Sequence, residues 1–376
     1  MNAKFRWMWL APLISTLLAA QAQPPVTLKD AYKDAFLVGA AVNAAQFTGQ
    51  DARGAALVQA QFNAITPENA LKWANIHPRL DTYSFELPDK YVAFGERYHM
   101  FIVGHCLVWH NQIPSDVFHD ARGNLVTRKV LLKRMRDHIH TVVGRYKGRI
   151  KSWDVVNEAL NDDGSLRQTP WLKIIGKDYI AKAFQYAHET DPQAELTYND
   201  YSLENEPKRN GAIALVKELK RKKVPVTSVG LQGHDSLSWP SADQEDATIK
   251  AFGNLGVRVI ISELDIDVLP TAVAEGSADV NAHVTAETNL NPYAGELPDS
   301  VQELLEKRYG ELFLVFLRHR DVVQRVTFWG VTDGDSWKND WPVRGRTNYP
   351  LLFDRNGQPK PAFGAVIRAS MPRVAK

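Results

Sequence analysis

The chain has 376 residues, with 45 Lys plus Arg against 43 Asp plus Glu and 44% hydrophobic residues. That length suits two ordinary domains or one large barrel, and the composition excludes a disordered, collagenous or coiled-coil chain. The near-balance of charge argues against nucleic acid or an anionic membrane surface as the main partner. A single cysteine, Cys106, excludes an intrachain disulfide and a cysteine-based zinc site.

The first 22 residues read as a leader. Lys4 and Arg6 give a charged start, Trp7 to Ala20 is apolar, and Ala20-Gln21-Ala22 is a small-x-small cleavage site. A transmembrane helix is the competing reading, but the apolar run falls short of the ~20 residues needed to span and Pro12 interrupts it. No cysteine follows it to carry a lipid anchor. We therefore expect a cleaved secretory signal at 1–22 and a mature catalytic domain at 23–376, working in the periplasm or the medium. Loss of Lys4 and Arg6, the only charges in the leader, leaves the mature chain formally neutral.

Beyond Pro24-Pro25 no linker or low-complexity tract appears. Short apolar runs at 36–41, 62–65, 100–104, 150–156, 195–198, 228–231, 258–261 and 326–328 read as strands. Between them, 130–146, 179–189, 211–220 and 301–319 carry helical periodicity. Strands alternating with helices make parallel βαβ units, and eight such units close into a (β/α)8 barrel, an α/β fold that needs the whole mature chain as one domain with enlarged βα-loops. A doubly wound open sheet would usually carry a glycine fingerprint after its first strand, and none is present.

The longest irregular stretch, 270–300, follows the seventh run, and Tyr293 is its only aromatic residue. A loop this long inside a compact domain builds function or is a tolerated insertion. Because βα-loops form the functional face of a barrel, we expect it to wall a substrate cleft.

Functional groups concentrate at the strand ends. The second run ends in Thr66-Pro67-Glu68-Asn69, with Lys72-Trp73 just after, and the third in Gly104-His105-Cys106-Leu107-Val108-Trp109-His110. The fourth gives Trp153-Asp154-Val155-Val156-Asn157-Glu158. The sixth gives Gln232-Gly233-His234, the seventh Ile261-Ser262-Glu263-Leu264-Asp265, and the eighth Trp329-Gly330 with Trp337 beyond. Carboxylate, amide, imidazole and indole groups at six strand ends suit a site that grips hydroxyls and sugar faces.

These residues resemble glycoside hydrolase family 10, the endo-β-1,4-xylanases. Trp153 to Glu158 looks like that family's acid/base motif and Ile261 to Asp265 like its nucleophile motif. Glu68, Asn69, Lys72, His105, Trp109, Gln232, His234, Trp329 and Trp337 match further family positions in order, over roughly residues 30 to 370. Cys106, where the family often has threonine, and the long loop after Glu263 depart from the pattern. The resemblance implies a retaining endo-xylanase acting on xylan and xylo-oligosaccharides as a monomer, without cofactor or metal.

The chemistry agrees with this. Retaining hydrolysis needs two carboxyl groups about 5–5.5 Å apart, one a nucleophile and one an acid that then acts as base. Glu158 and Glu263 end the fourth and seventh runs, and a barrel aims both at one point. A lone strand-end glutamate is as often a surface ion-pair partner, but two, each beside an amide or carboxylate neighbour, are not. Asn157 is placed to bond the sugar 2-OH. His234 resembles the family histidine that bonds the nucleophile, and Asp265 supports that imidazole. Glu158 is expected to be protonated because the negative Glu263 is near. Trp109, Trp329 and Trp337 flank the sugar, and their crowding suits xylose, which lacks an exocyclic CH₂OH. Trp153 and Trp171 read as core.

Other signals lose to simpler readings. His138 and His140, two apart on a helix, face different sides and make a poor metal site. His105 and Cys106, adjacent on a strand, face apart and make no dyad. Lys220 to Lys223 is a solvated helix end. Asp333, Asp335 and Asp340 lack the spacing of a calcium loop. Two rival functions remain: a β-1,4-glucanase on a related barrel, and a non-catalytic xylan-binding protein on a decayed enzyme scaffold.

Overall fold

In the computed structural model, which describes residues 26–274 and 276–371, nine strands lie along the described chain, with helices between all of them except the sixth and seventh. They are β1 Leu37–Val42, β2 Ala64–Pro67, β3 Phe101–Val108, β4 Ser152–Asn157, β5 Glu195–Asp200, β6 Ser228–Leu231, β7 His234–Ser236, β8 Arg258–Asp267 and β9 Val323–Phe328. The expected leader and its cleavage site lie outside the described residues.

All strand pairings are parallel. β1 to β6 pair in chain order, β6 pairs with β8, β8 with β9, and β9 returns to β1, so the eight longer strands close into a barrel. β7 is a short extra strand set against the C-terminal part of β8, with His234 opposite Asp265. Closure explains the sequence pattern: strands covered on both faces become apolar runs rather than alternating ones. β2, β4 and β6 are buried at every position.

Helices surround the barrel and bury one stripe each. In the Arg128–Arg145 helix that stripe is Leu131, Met135, His138, Ile139, Val142 and Val143. The helix begins before the expected Val130 because the Thr127 hydroxyl caps it by accepting from the Val130 N–H. The Glu206–Arg221 helix likewise starts ahead of the expected Gly211, with Pro207 in its first turn, where the missing N–H costs nothing. His138 is buried, 3.1 Å Nδ1 to Nδ1 from His77 and stacked on Trp73, whereas His140 lies on another face beside Glu189.

Several strands run past their apolar cores. β3 reaches Val108 and β8 reaches Asp267, so polar residues that looked like loop are still held by the sheet. Trp153 and Trp171 are core residues, and the Trp171 indole donates to the Trp109 carbonyl at 2.7 Å. Gly104 lies against Trp153 so closely that an added Cβ would sit 2.1 Å from the indole. Gly104→Ala is therefore expected to overpack the barrel and lower stability by about 1–3 kcal/mol, measured by urea denaturation.

Candidate active site

The C-terminal ends of the strands converge on a cavity of about 180 Å³. Glu68, Asn69 and Lys72 line it from the turn after β2, and His105 and Trp109 from β3 and its end. Asn157 and Glu158 enter from β4, Gln232 and His234 from the β6–β7 turn, and Glu263 from β8. Trp329 and Trp337 complete the wall from the segment after β9. Asp265 lies one layer below, fully buried. The structure thus gathers the residues singled out in the sequence around one point.

Glu158 follows the last residue of β4 and takes a left-handed backbone, φ 54°. A non-glycine residue there is strained by about 1–3 kcal/mol and persists where its surroundings hold it. The hold is visible: the Glu158 N–H donates to the Asn199 carbonyl at 2.9 Å. Its carboxylate accepts from the Trp109 indole at 2.7 Å, from Gln232 Nε2 at 3.1 Å and from Asn157 Nδ2 at 3.3 Å. Asn199 Nδ2 donates both to Asn157 Oδ1 at 2.9 Å and to Glu263 Oε1 at 2.7 Å, so an amide bridge links the two carboxyl groups.

Below Glu263 sits His234. Its Nε2 is 3.2 Å from Glu263 Oε2 and its Nδ1 is 3.0 Å from Asp265 Oδ1. Both neighbours are acceptors, so both ring nitrogens carry hydrogen and the ring is an imidazolium. Burial opposes that charge, but Asp265 and then Glu263 outweigh it and hold His234 up to about 9. Asp265 is held in turn by the Trp337 indole at 2.8 Å and by Lys338 at 3.6 Å.

The two glutamates differ in charge preference. Burial would push Glu263 up, yet the His234 bond, the charges of His105 and His234, and the Asn199 bond bring it below its ordinary value. Glu158 goes the other way, to about 7. The sequence reading assigned that rise to Glu263; the structure gives it mainly to burial, then to Asp200, with Glu263 a minor contributor. Glu68 is also raised, by burial, against the opposing charge of Lys72. Lys72 Nζ bonds Asn69 Oδ1 at 3.1 Å and lies 5.3 Å from the Trp109 ring centre. His105 is fixed by Asp154 at 2.9 Å. Such a site offers a proton donor, an anionic nucleophile, and amide, ammonium and indole groups suited to a hydroxyl-bearing ring.

The family model for glycosyl hydrolase family 10 matches residues 27–369. The chain belongs to this family. It is 44% identical over 351 residues to an endo-1,4-beta-xylanase A of Xylanibacter ruminicola, covering 93% of this chain and 95% of that protein. It is 41% identical to an endo-1,4-beta-xylanase of Geobacillus stearothermophilus over 91% of this chain and 98% of the relative. A family 10 endoxylanase retrieved from a sugarcane soil metagenome superposes with a TM-score of 0.89 at 47% identity, over 91% of this chain and 99% of the other.

Asn199 and Asp200 of this family 10 site escaped the sequence reading, as did the cavity-lining Gln112. Asn199 and Asp200 end β5, where the apolar run stopped at Tyr198. Inspecting the end of that strand as the other six were inspected would have found both. Trp109 was expected as a sugar-flanking ring, and its indole N–H also serves Glu158. Trp109→Phe removes a donor that favours the Glu158 carboxylate. Carbon-13 NMR titration of glutamate carboxyls should show one group near 7 in the parent protein, moved higher in the variant.

Proposed function

We propose that the protein is a secreted endo-1,4-β-xylanase that cleaves internal bonds of xylan with retention, through a glycosyl-enzyme on Glu263. The observation that carries this reading is the opposed charge preference of two carboxyl groups joined through Asn157 and Asn199 in one cavity. Glu263, ionised by its imidazolium neighbour, is the nucleophile. Glu158, neutral below about 7, protonates the leaving oxygen and then takes a proton from water. Asn157 bonds the sugar 2-OH, and Glu68, Asn69, Lys72, His105, Gln232 and His234 hold the remaining hydroxyls.

Trp329 and Trp337 crowd the floor beside His234, with Trp337 centred 4.9 Å from the imidazole. That crowding favours xylose over glucose and so a xylanase over a glucanase. Intact Glu158, Glu263 and Asn157 with a built support layer count against a decayed binding protein. The cavity is complete within one chain, which suits a monomer, and no bound cofactor or metal enters the mechanism.

Variants of the two glutamates separate their roles. Glu263→Ala should hydrolyse no substrate at a useful rate, however good its leaving group. Glu158→Ala should lose at least ~10²-fold on xylan, the lower range for a general acid. On an aryl xylobioside with an acidic phenol it should give a burst and a slow steady state, and azide should restore turnover as a β-glycosyl azide. Equal losses on both substrates, with no burst and no azide product, would overturn the assignment.

The N-terminal pattern supports export with removal of residues 1–22, leaving 23–376 as the catalytic domain. Intact mass of the exported protein should then correspond to a chain starting at or near Gln23.

A further inference from the structure

The loop after β8 does more than wall the cavity. Its segment Gly276 to Asn281 crosses the barrel mouth. In an eight-strand ring ordered β1 to β6, β8, β9, the strand opposite β8 is β3. Asn281, on the loop leaving β8, donates from Nδ2 to Oδ1 of Asn111, just past β3, at 3.1 Å. The loop therefore reaches from β8 to the opposite side of the ring.

Its ties are spread along the way. Ser202, after β5, donates to the Gly276 carbonyl at 2.5 Å, and Gly276 lies so close to Trp239 that a Cβ would clash with the indole. Asp279 sits at the middle. Its carbonyl accepts from the Trp341 indole at 3.0 Å, and its carboxylate lies 3.6 Å from Arg167 of the β4 loop. Arg167 in turn donates to the Tyr201 hydroxyl at 2.7 Å, and Tyr201 is only 3% exposed beneath this cover.

Ala278 and Val280 face the cavity that holds both glutamates. Among the described residues no hydrogen bond or ion pair joins the strap to Glu68, Asn69 or Lys72 on the β2 side. The strap thus closes the cavity on the side of β4 and β5, where Glu158 stands. A proton donor stands beside its leaving oxygen, so the covered side is the one the leaving group must occupy.

We propose that the strap from Gly276 to Asn281 sets specificity on the leaving-group side: short xylo-oligosaccharides and small aglycones are cleaved with it in place, and polymeric xylan only after the Asp279 and Asn281 ties release. This rests on the roles proposed for Glu158 and Glu263. The ties suit a gate: the Arg167–Asp279 pair is partly solvated and Asn111–Asn281 exposed, and such contacts are weak.

The test compares kcat/KM on linear polymeric xylan with kcat/KM on an aryl β-xylobioside, for the parent enzyme and for Asp279→Ala/Asn281→Ala. The double variant should raise the polymer-to-aryl ratio by about threefold or more, the scale of two weak exposed ties lost. Early products from xylan should also shift to longer oligosaccharides. A ratio that is unchanged or lowered, with both substrates still cleaved, overturns the role of the strap and leaves the xylanase reading intact. A parent enzyme that cleaves neither substrate overturns the xylanase reading, and the strap proposal falls with it.

Discussion

Two carboxyl groups share one buried cavity at the top of this barrel, and burial pushes both toward the neutral form. Glycoside cleavage with retention needs one of them charged, so a buried cation must stand beside it. His234 is that cation, and its charge is held by two acceptors, Glu263 on one side and Asp265 on the other. Asp265 is fully buried and relies on His234, Lys338 and the Trp337 indole. Lysine, aspartate, imidazolium and glutamate alternate in sign from the support layer to the cavity. Removing one member leaves its neighbour buried and uncompensated, which costs far more than the pair contributes. The position of the β9 loop, which carries Trp337 and Lys338, is therefore tied to the charge of a residue on β8.

The barrel delivers these groups by irregularity as much as by regularity. The β3–β4 register shifts between His105 and Val108, β4–β5 between Asp154 and Val156, and β8–β9 between Ile261 and Leu264. A shift in an otherwise even ladder re-aims the side chains around it. These three lie at His105, ahead of Glu158, and at Glu263. The left-handed Glu158 completes the set, because a regular extension of β4 would aim its side chain along the strand's alternation rather than where Trp109 and Gln232 hold it.

The barrel and most of the site were legible in the sequence because closure makes each strand an apolar run ending in polar residues at the same height. What the apolar signal marks, though, is burial and not strand length. β3 and β8 continue through His105 and Glu263 because side-chain bonds satisfy those polar groups inside the barrel, and β7 has no apolar run at all. Asn199 and Asp200 were missed for the same reason: Tyr198 looked like the strand's end. The path of the loop after Glu263 was not legible, because Asn281 finding Asn111 across the mouth is a long-range pairing with no local signature. The expected leader lies outside the described residues.

The origin of the Glu158 shift bears on how one side chain can serve as acid and then as base. Were Glu263 the main cause, glycosylating it would remove its charge and let Glu158 ionise. Burial and Asp200 contribute more, and neither is a charge that glycosylating Glu263 removes. The switch has another source. Under the proposed roles, Glu158 gives its proton to the leaving oxygen, and that alcohol departs with it. The side chain is then a carboxylate in a place that favours the acid, held meanwhile by the Trp109 and Gln232 donors. A base of pKa about 7 is well matched to taking a proton from the incoming water. The environment that makes Glu158 a competent acid in the first step makes its anion a competent base in the second, and no change in that environment is required between them.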